Sequence, residues 1–168
     1  NTDDAYCYYD NNSSSEYGAL YTYAAALNAC PAGWHLPSDA EWTILENYLA
    51  NHGYNYDGTT GGGGEKIGKA MATASGWNLS FNPGALGNSD YPEKRNASKF
   101  SALPGGSRLN YAGMGMFISA GARGFWWSST ELSSTDAFSR ALYYSRAYES
   151  PEMLNKANGL SVRCVRDD

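Results

Sequence analysis

The last third of the chain does most to limit what it can fold into. From Gly124 to Arg166 it carries three runs of strand character, Phe125 to Ser129, Ala137 to Ser145 and Leu160 to Val165. Aromatic and β-branched side chains suit a pleated, half-buried surface. In the third run Leu160, Val162 and Cys164 alternate with Ser161, Arg163 and Val165, the period of two that turns one side of a strand to a core. The segments between the runs are dense in Tyr, Ser, Asn and Arg, residue types that make adaptable contacts in antibody loops. The expectation is a set of scaffold strands that carries a binding face.

Alternation within Ala137 to Ser145 places Phe138, Arg140, Leu142 and Tyr144 on one side and Ser139, Ala141, Tyr143 and Ser145 on the other. With Phe138 and Leu142 assigned to the core, the second side faces out. It is flanked by a loop before the strand, Ser133 to Asp136, and a loop after it, Arg146 to Asn155. The candidate ligand-binding residues are therefore Ser133, Ser134, Thr135, Ser139, Ala141, Tyr143, Ser145, Arg146, Tyr148 and Glu149. Tyr143 and Tyr148 are the rigid anchors and Arg146 the charged hot spot, types enriched at binding centres. An ordinary solvated sheet face is the competing reading. By the same alternation Trp126 and Trp127 are expected to split, one ring in the core and one toward a face.

Upstream, Leu20, Tyr23, Ala24 and Leu27 fall at helical spacing, so Tyr17 to Cys30 reads as a helix stopped by Pro31. Ser38 and Glu41 form a capping-box pattern for a second helix running to about Ala50, with Trp42, Leu45 and Leu49 inward and Gly53 ending it. His35, between Trp34 and Leu36 with no evident carboxylate or cysteine partner, reads as structural. A short helix is expected from Glu65 to Thr73. Trp77 to Lys99 is a long irregular stretch, a type that is often functional. Phe100 to Gly106 reads as a strand running into a turn, and Met116 to Ile118 as a further strand.

Composition narrows the class. With 168 residues, 42% apolar, the chain fits one globular domain over residues 1–168, which can stand as the C-terminal part of a longer chain. A net charge of −5 argues against nucleic acid as a partner, since that needs a basic patch. No apolar run approaches the roughly 18 residues of a membrane span, so direct membrane insertion is not expected. The four glycines Gly61 to Gly64 lack the Gly-Lys-Ser/Thr ending of a phosphate loop. Asp3, Asp4 and Asp10 match no calcium-loop spacing and read as a solvated arm. Neither a metal site nor a cofactor is expected. Cys7, Cys30 and Cys164 form no C-x-x-C pair.

Four blocks taken together are specific: Ala29 to Ser38 (ACPAGWHLPS), Phe100 to Gly106 (FSALPGG), Phe125 to Glu131 (FWWSSTE) and Gly159 to Arg166 (GLSVRCVR). They resemble the Fibrobacter succinogenes major paralogous domain family, common in Bacteroidetes surface proteins and lipoproteins. The resemblance implies an α+β, C-type-lectin-like fold: two main helices and a small twisted antiparallel sheet, with long irregular loops. It implies a Cys30–Cys164 framework disulfide between the first helix and the last strand. Many members carry a second cysteine near Tyr17 that partners the Cys7 equivalent; here Ser15-Glu16 stands there. The lectin sugar motifs Glu-Pro-Asn, Gln-Pro-Asp and Trp-Asn-Asp are missing, so calcium-dependent sugar binding of that kind is not implied. The mix from Ser133 to Asn155 is also similar to the diversified segment of retroelement variable proteins, found in phage tails and on bacterial surfaces.

Three functions compete. The first is a non-enzymatic ligand-binding or adhesion module on a bacterial surface or a phage receptor-binding protein. Its partner is a protein or glycan on a cell surface, and the module is oligomeric if part of a tail fibre. The second is an enzyme of the formylglycine-generating type, which needs two reactive cysteines close together. The third is a structural surface or pilus domain packing through its Tyr-rich face. No Ser-His-Asp set or paired carboxylates are evident, so the expectation is a non-enzymatic, extracellular binding protein.

Overall fold

The computed structural model describes residues 5–168, so Asp3 and Asp4 lie outside the described residues. In chain order the strands are β1 (Tyr6–Tyr8), β2 (Ala19–Tyr21), β3 (Trp34–His35), β4 (Gly105–Tyr111), β5 (Met114–Ala120), β6 (Arg123–Glu131), β7 (Asp136–Tyr143), β8 (Glu149–Asn155) and β9 (Val165–Arg166). The α-helices are α1 (Tyr23–Ala26), α2 (Asp39–Asn51) and α3 (Gly68–Met71). The fold is mixed α+β, with strand outweighing helix. Its centre is a curled five-stranded sheet in the order β5-β4-β6-β7-β8. Strands β1 and β2 pair with each other, as do β3 and β9.

Neighbours in the large sheet are antiparallel except β4 and β6, which meet in parallel at Gly106 and Gly124. That junction needs both glycines. Gly106 has φ +63°, and a Cβ there would lie 2.2 Å from the Ile118 carbonyl. A Cβ on Gly124 would lie 2.5 Å from the Leu103 carbonyl oxygen.

Helix α2 begins with the capping box that its sequence announces. Ser38 Oγ accepts from the Glu41 N–H, and the Glu41 carboxylate accepts from the Ser38 N–H at 2.8 Å. Its inward side, Trp42 and Leu49 with Leu45 alongside, packs on one face of the sheet with Trp126, Leu142, Ile67, Met71 and Leu86. The other face carries a second core of Phe125, Trp127, Ala137 and Ala141 against Tyr23, Ala26, Leu36 and Leu160. Trp126 and Trp127 therefore point to opposite faces, but both rings are buried, at 5% and 0% exposure. The expected contrast in exposure is not found, because β6 is an inner strand of a sheet covered on both sides.

Several expected elements are redrawn. Of Tyr17 to Cys30 only Tyr23–Ala26 is helical. Ala19–Tyr21 instead pairs with β1, and Tyr21 exchanges backbone hydrogen bonds with Leu160 at 2.7 and 3.0 Å. A short helix gains little from its own nucleus, so strand pairing wins locally. The helix expected from Glu65 shrinks to α3, preceded by a 3-10 turn at Gly63–Glu65. The strand near Phe100 begins only at Gly105. Leu160 and Ser161 make single bridges, to Tyr21 and Trp126, and regular pairing resumes at β9. Glu149–Asn155, expected as loop, is strand β8; Pro151 is tolerated because β8 is an edge. A disulfide joins Cys30 to Cys164 with Cα atoms 5.7 Å apart, and Cys7 is free.

Candidate binding site

Strand β7 fixes where the candidate residues stand. It lies between β6 and β8, so residues on both of its sides meet a core. Ser139 and Ala141 are fully buried in the second core, and Glu149 is 4% exposed beneath α2. These three do not face solvent, which corrects the expectation that the Ser/Ala/Tyr side of β7 points outward. Ser133, Ser134 and Thr135 are exposed at the β6–β7 turn, whereas Tyr143, Ser145, Arg146 and Tyr148 stand at the far end of β7. Seven residue steps at about 3.3 Å put the two groups roughly 23 Å apart. They form two surfaces, not one. At the turn, Ser133 and Thr135 bond to each other and to Asp136, while Lys156 Nζ donates to the Ser133 carbonyl at 2.7 Å and to Glu131 at 2.9 Å.

The far end carries a stack that alternates guanidinium and ring. Arg146 Cζ lies 4.1 Å from the Tyr143 ring centroid and 5.1 Å from that of Tyr148. Arg123, paired in register with Tyr143, lies over the same Tyr143 ring at 4.9 Å. Guanidinium planes stack on aromatic faces and leave their N–H edges free to donate. Among the described residues neither Arg123 nor Arg146 donates a side-chain hydrogen bond or forms an ion pair. Tyr143 donates its hydroxyl to Glu152 Oε1 at 2.7 Å. Burial, and then that hydrogen bond, push its pKa up to about 12.

The connection that carries Arg146 is gripped from outside. The carbonyls of Tyr144, Ser145, Arg146 and Ala147 accept from Gly87 N–H (2.7 Å), Asn82 Nδ2 (2.9 Å), Leu86 N–H (3.1 Å) and Gly68 N–H (2.9 Å). A Cβ on Gly68 would meet the Ala147 carbonyl at 2.8 Å, and one on Gly87 would meet the Asn78 carbonyl at 2.0 Å. The long irregular stretch after Trp77 is thus part of the site's support. It is pinned in turn by Lys69, fully buried, whose ammonium donates to the Asn88 carbonyl (2.8 Å), the Asp90 carbonyl (2.6 Å) and the Asp90 carboxylate. Arg95 donates to the Leu86 and Asn88 carbonyls. Phe81, 93% exposed, sits next to Asn82 and extends the surface with an apolar tip.

A family model described as the Fibrobacter succinogenes major domain matches residues 1–166. The chain belongs to this family. Comparisons with curated proteins and with solved structures give no match. In this member of the Fibrobacter succinogenes major domain family, the four blocks quoted above turn out to be frame. Cys30 and Cys164 are bonded, Trp126 and Trp127 fill the two cores, and His35 is tied down. Its Nε2 lies 2.7 Å from Glu41 and its Nδ1 2.6 Å from Asp167, so His35 does have carboxylate partners, and both bonds raise its pKa. Sequence reasoning missed Arg123, Glu152, Phe81 and Lys69. Cross-strand register is the signal that places Arg123 and Glu152, and register is not written in any one segment.

Proposed function

We propose that this chain is a non-enzymatic recognition module on a C-type-lectin-like framework, displayed outside the cell or on a phage particle. Its ligand face is the Arg123–Tyr143–Arg146–Tyr148 end of the sheet. The observation that carries this reading is the stack itself. Two guanidiniums without hydrogen-bond or ion-pair partners among the described residues are held against two tyrosine rings, and Arg146 stands on a connection whose backbone is fixed by hydrogen bonds. Stacking preorganises the donors, so little side-chain entropy remains to be lost on binding. Tyr and Arg are also the residues that carry most of the energy at protein interfaces. Diversification of Ser133 to Asn155 by a retroelement is part of the proposal. It would vary Arg146 and Tyr148 while leaving the grip from Gly68, Asn82, Leu86 and Gly87 in place.

The formylglycine-generating reading has less support. Cys30 and Cys164 are joined to each other, and burial pushes the Cys7 thiol toward its protonated form, the opposite of activation. The test is Arg146→Ser with Tyr148→Ser, measured on a glycan array and on host-cell panels beside the unchanged protein. Both side chains reach the surface, so the variant is expected to keep its melting temperature within a few degrees and to lose binding about tenfold or more. Full binding by the folded variant would move the site elsewhere.

A further inference from the structure

A second surface of the molecule is a candidate site of different chemistry. Between α2 and the end of the chain lies a groove of about 420 Å³, lined by Trp42, Ile44, Tyr48, Phe100 and Val165 with Arg163 at its side. Ile44 is 67% and Tyr48 54% exposed, so α2 turns an apolar strip outward as well as inward. Pockets of this size, largely apolar with a few placed polar groups, are where small ligands bind.

Arg163 gives the groove its specificity. Its guanidinium lies over the Phe100 ring at 4.5 Å and donates to the Phe100 carbonyl at 2.8 Å. No carboxylate pairs with it among the described residues. Burial pulls its pKa down. A part-buried guanidinium without an anion is costly to keep, and it has donors to spare, since one hydrogen bond uses one of five. The lining carboxylate, Glu41, is engaged elsewhere: it accepts from Ser38 N–H and Ser38 Oγ and faces His35. Beneath these groups the Trp42 indole N–H is buried and has no acceptor among the described residues. One guanidinium with donors to spare, beside an apolar trough, defines a complementary molecule.

We propose that this groove binds a small apolar acid, a carboxylate or sulfonate whose body lies over Trp42, Phe100, Ile44 and Tyr48 and whose anionic head takes the free N–H edge of Arg163. The site is separate from the tyrosine–arginine stack and does not depend on the function proposed for it. A neutral ligand of the same shape leaves the guanidinium unpaired, so discrimination rests on the charge.

The probes are naphthylacetate and its primary amide, titrated by calorimetry, with amide shifts followed at Ile44 and Tyr48. Saturable binding of the acid is expected, with the amide weaker by about tenfold or more, as a charge-assisted hydrogen bond implies. Arg163→Gln should bring the acid to the level of the amide. Arg163 also supports Phe100, so Ile44→Glu provides an independent check: Ile44 is exposed, and a carboxylate there closes the groove to anions without disturbing the core. Loss of acid binding by Ile44→Glu at an unchanged melting temperature supports the site. Absence of saturable binding by the unchanged protein would overturn it. So would equal affinity for acid and amide, or undiminished acid binding by Ile44→Glu.

Discussion

Glu149 sits in a buried cluster of charges. It is 4% exposed, its Oε1 lies 3.4 Å from Arg140 Nε, and Glu46 and Asp39 hold the same guanidinium. Three carboxylates around one arginine cannot all stay ionised out of water. Among the described residues neither Glu149 oxygen has a hydrogen-bond partner, which suits an acid that keeps its proton. Burial first, and then the Glu46 charge, push its pKa up to about 10. The sign follows. Below the ordinary carboxylate range both folded and unfolded chains hold the proton, and the stability this group contributes is fully present. As pH rises from that range toward 10 the unfolded chain releases the proton first, and stability falls. Glu149→Gln cannot titrate, so the difference in melting temperature between variant and parent should grow from near zero at pH 4 to several degrees at pH 9, the variant being the more stable. A constant difference would show that Glu149 does not change its proton affinity on folding. In sequence Glu149 read as a candidate ligand-binding residue in a loop, because the three groups that surround it come from α2 and β7.

At the scale of elements, the connection between β7 and β8 depends on a buried segment, α3. Helix α3 is a single turn, yet Gly68 supports the Ala147 carbonyl and Lys69 reaches the Asn88 and Asp90 carbonyls. Two carbonyls and a carboxylate around a positive centre are a ligand set that a hard cation also takes; here the ammonium fills that place. Lys69→Met leaves those oxygens without their cation, at a cost of about 3 kcal/mol or more. Hydrogen exchange at the Leu86 and Gly87 amides should quicken, because their acceptors on Arg146 and Tyr144 are lost when the loop lets go. Binding at the proposed face should weaken although Lys69 is fully buried, and chelators should leave the parent protein unaffected. Unchanged exchange at Leu86 and Gly87 would mean the loop holds its shape without the lysine. Elements with strong local signals were legible: the Ser38–Glu41 box gave α2 to within a residue, and the aromatic runs gave β6 and β7. Those set by partners were not. Leu20 suits a helical stripe and a strand pairing alike, and only the partners of its strand, β1 and Leu160, decide between them. Strand β8 is disguised by Pro151, which an edge position allows.

For the whole molecule the same contrast holds: the frame was legible, whereas the reach of the proposed binding surface was not. A two-sided sheet hides Ser139 and Ala141, and alternation alone cannot tell a strand with one wet face from a strand with none. What closes the frame is the Cys30–Cys164 bond, which links residues 134 apart and so joins the segment before β3 to the one leading into β9. Strands β3 and β9 pair through only Trp34–Arg166 and His35–Val165, and so short a ladder adds little stability by itself. The cross-link therefore limits the unfolded chain more than it adds contacts to the folded one, and the loop-entropy argument gives about 5 kcal/mol for a loop of this length. With a urea dependence of about 2 kcal/mol per molar, reduction should lower the unfolding midpoint by roughly 2.5 M. Cys30→Ser with Cys164→Ser should do the same in the absence of reductant, while Cys7→Ser should leave the midpoint where it is, since Cys7 is free. Overlapping unfolding curves for oxidised and reduced protein would mean that the cores on either side of the sheet hold the two ends of the chain together without the bond.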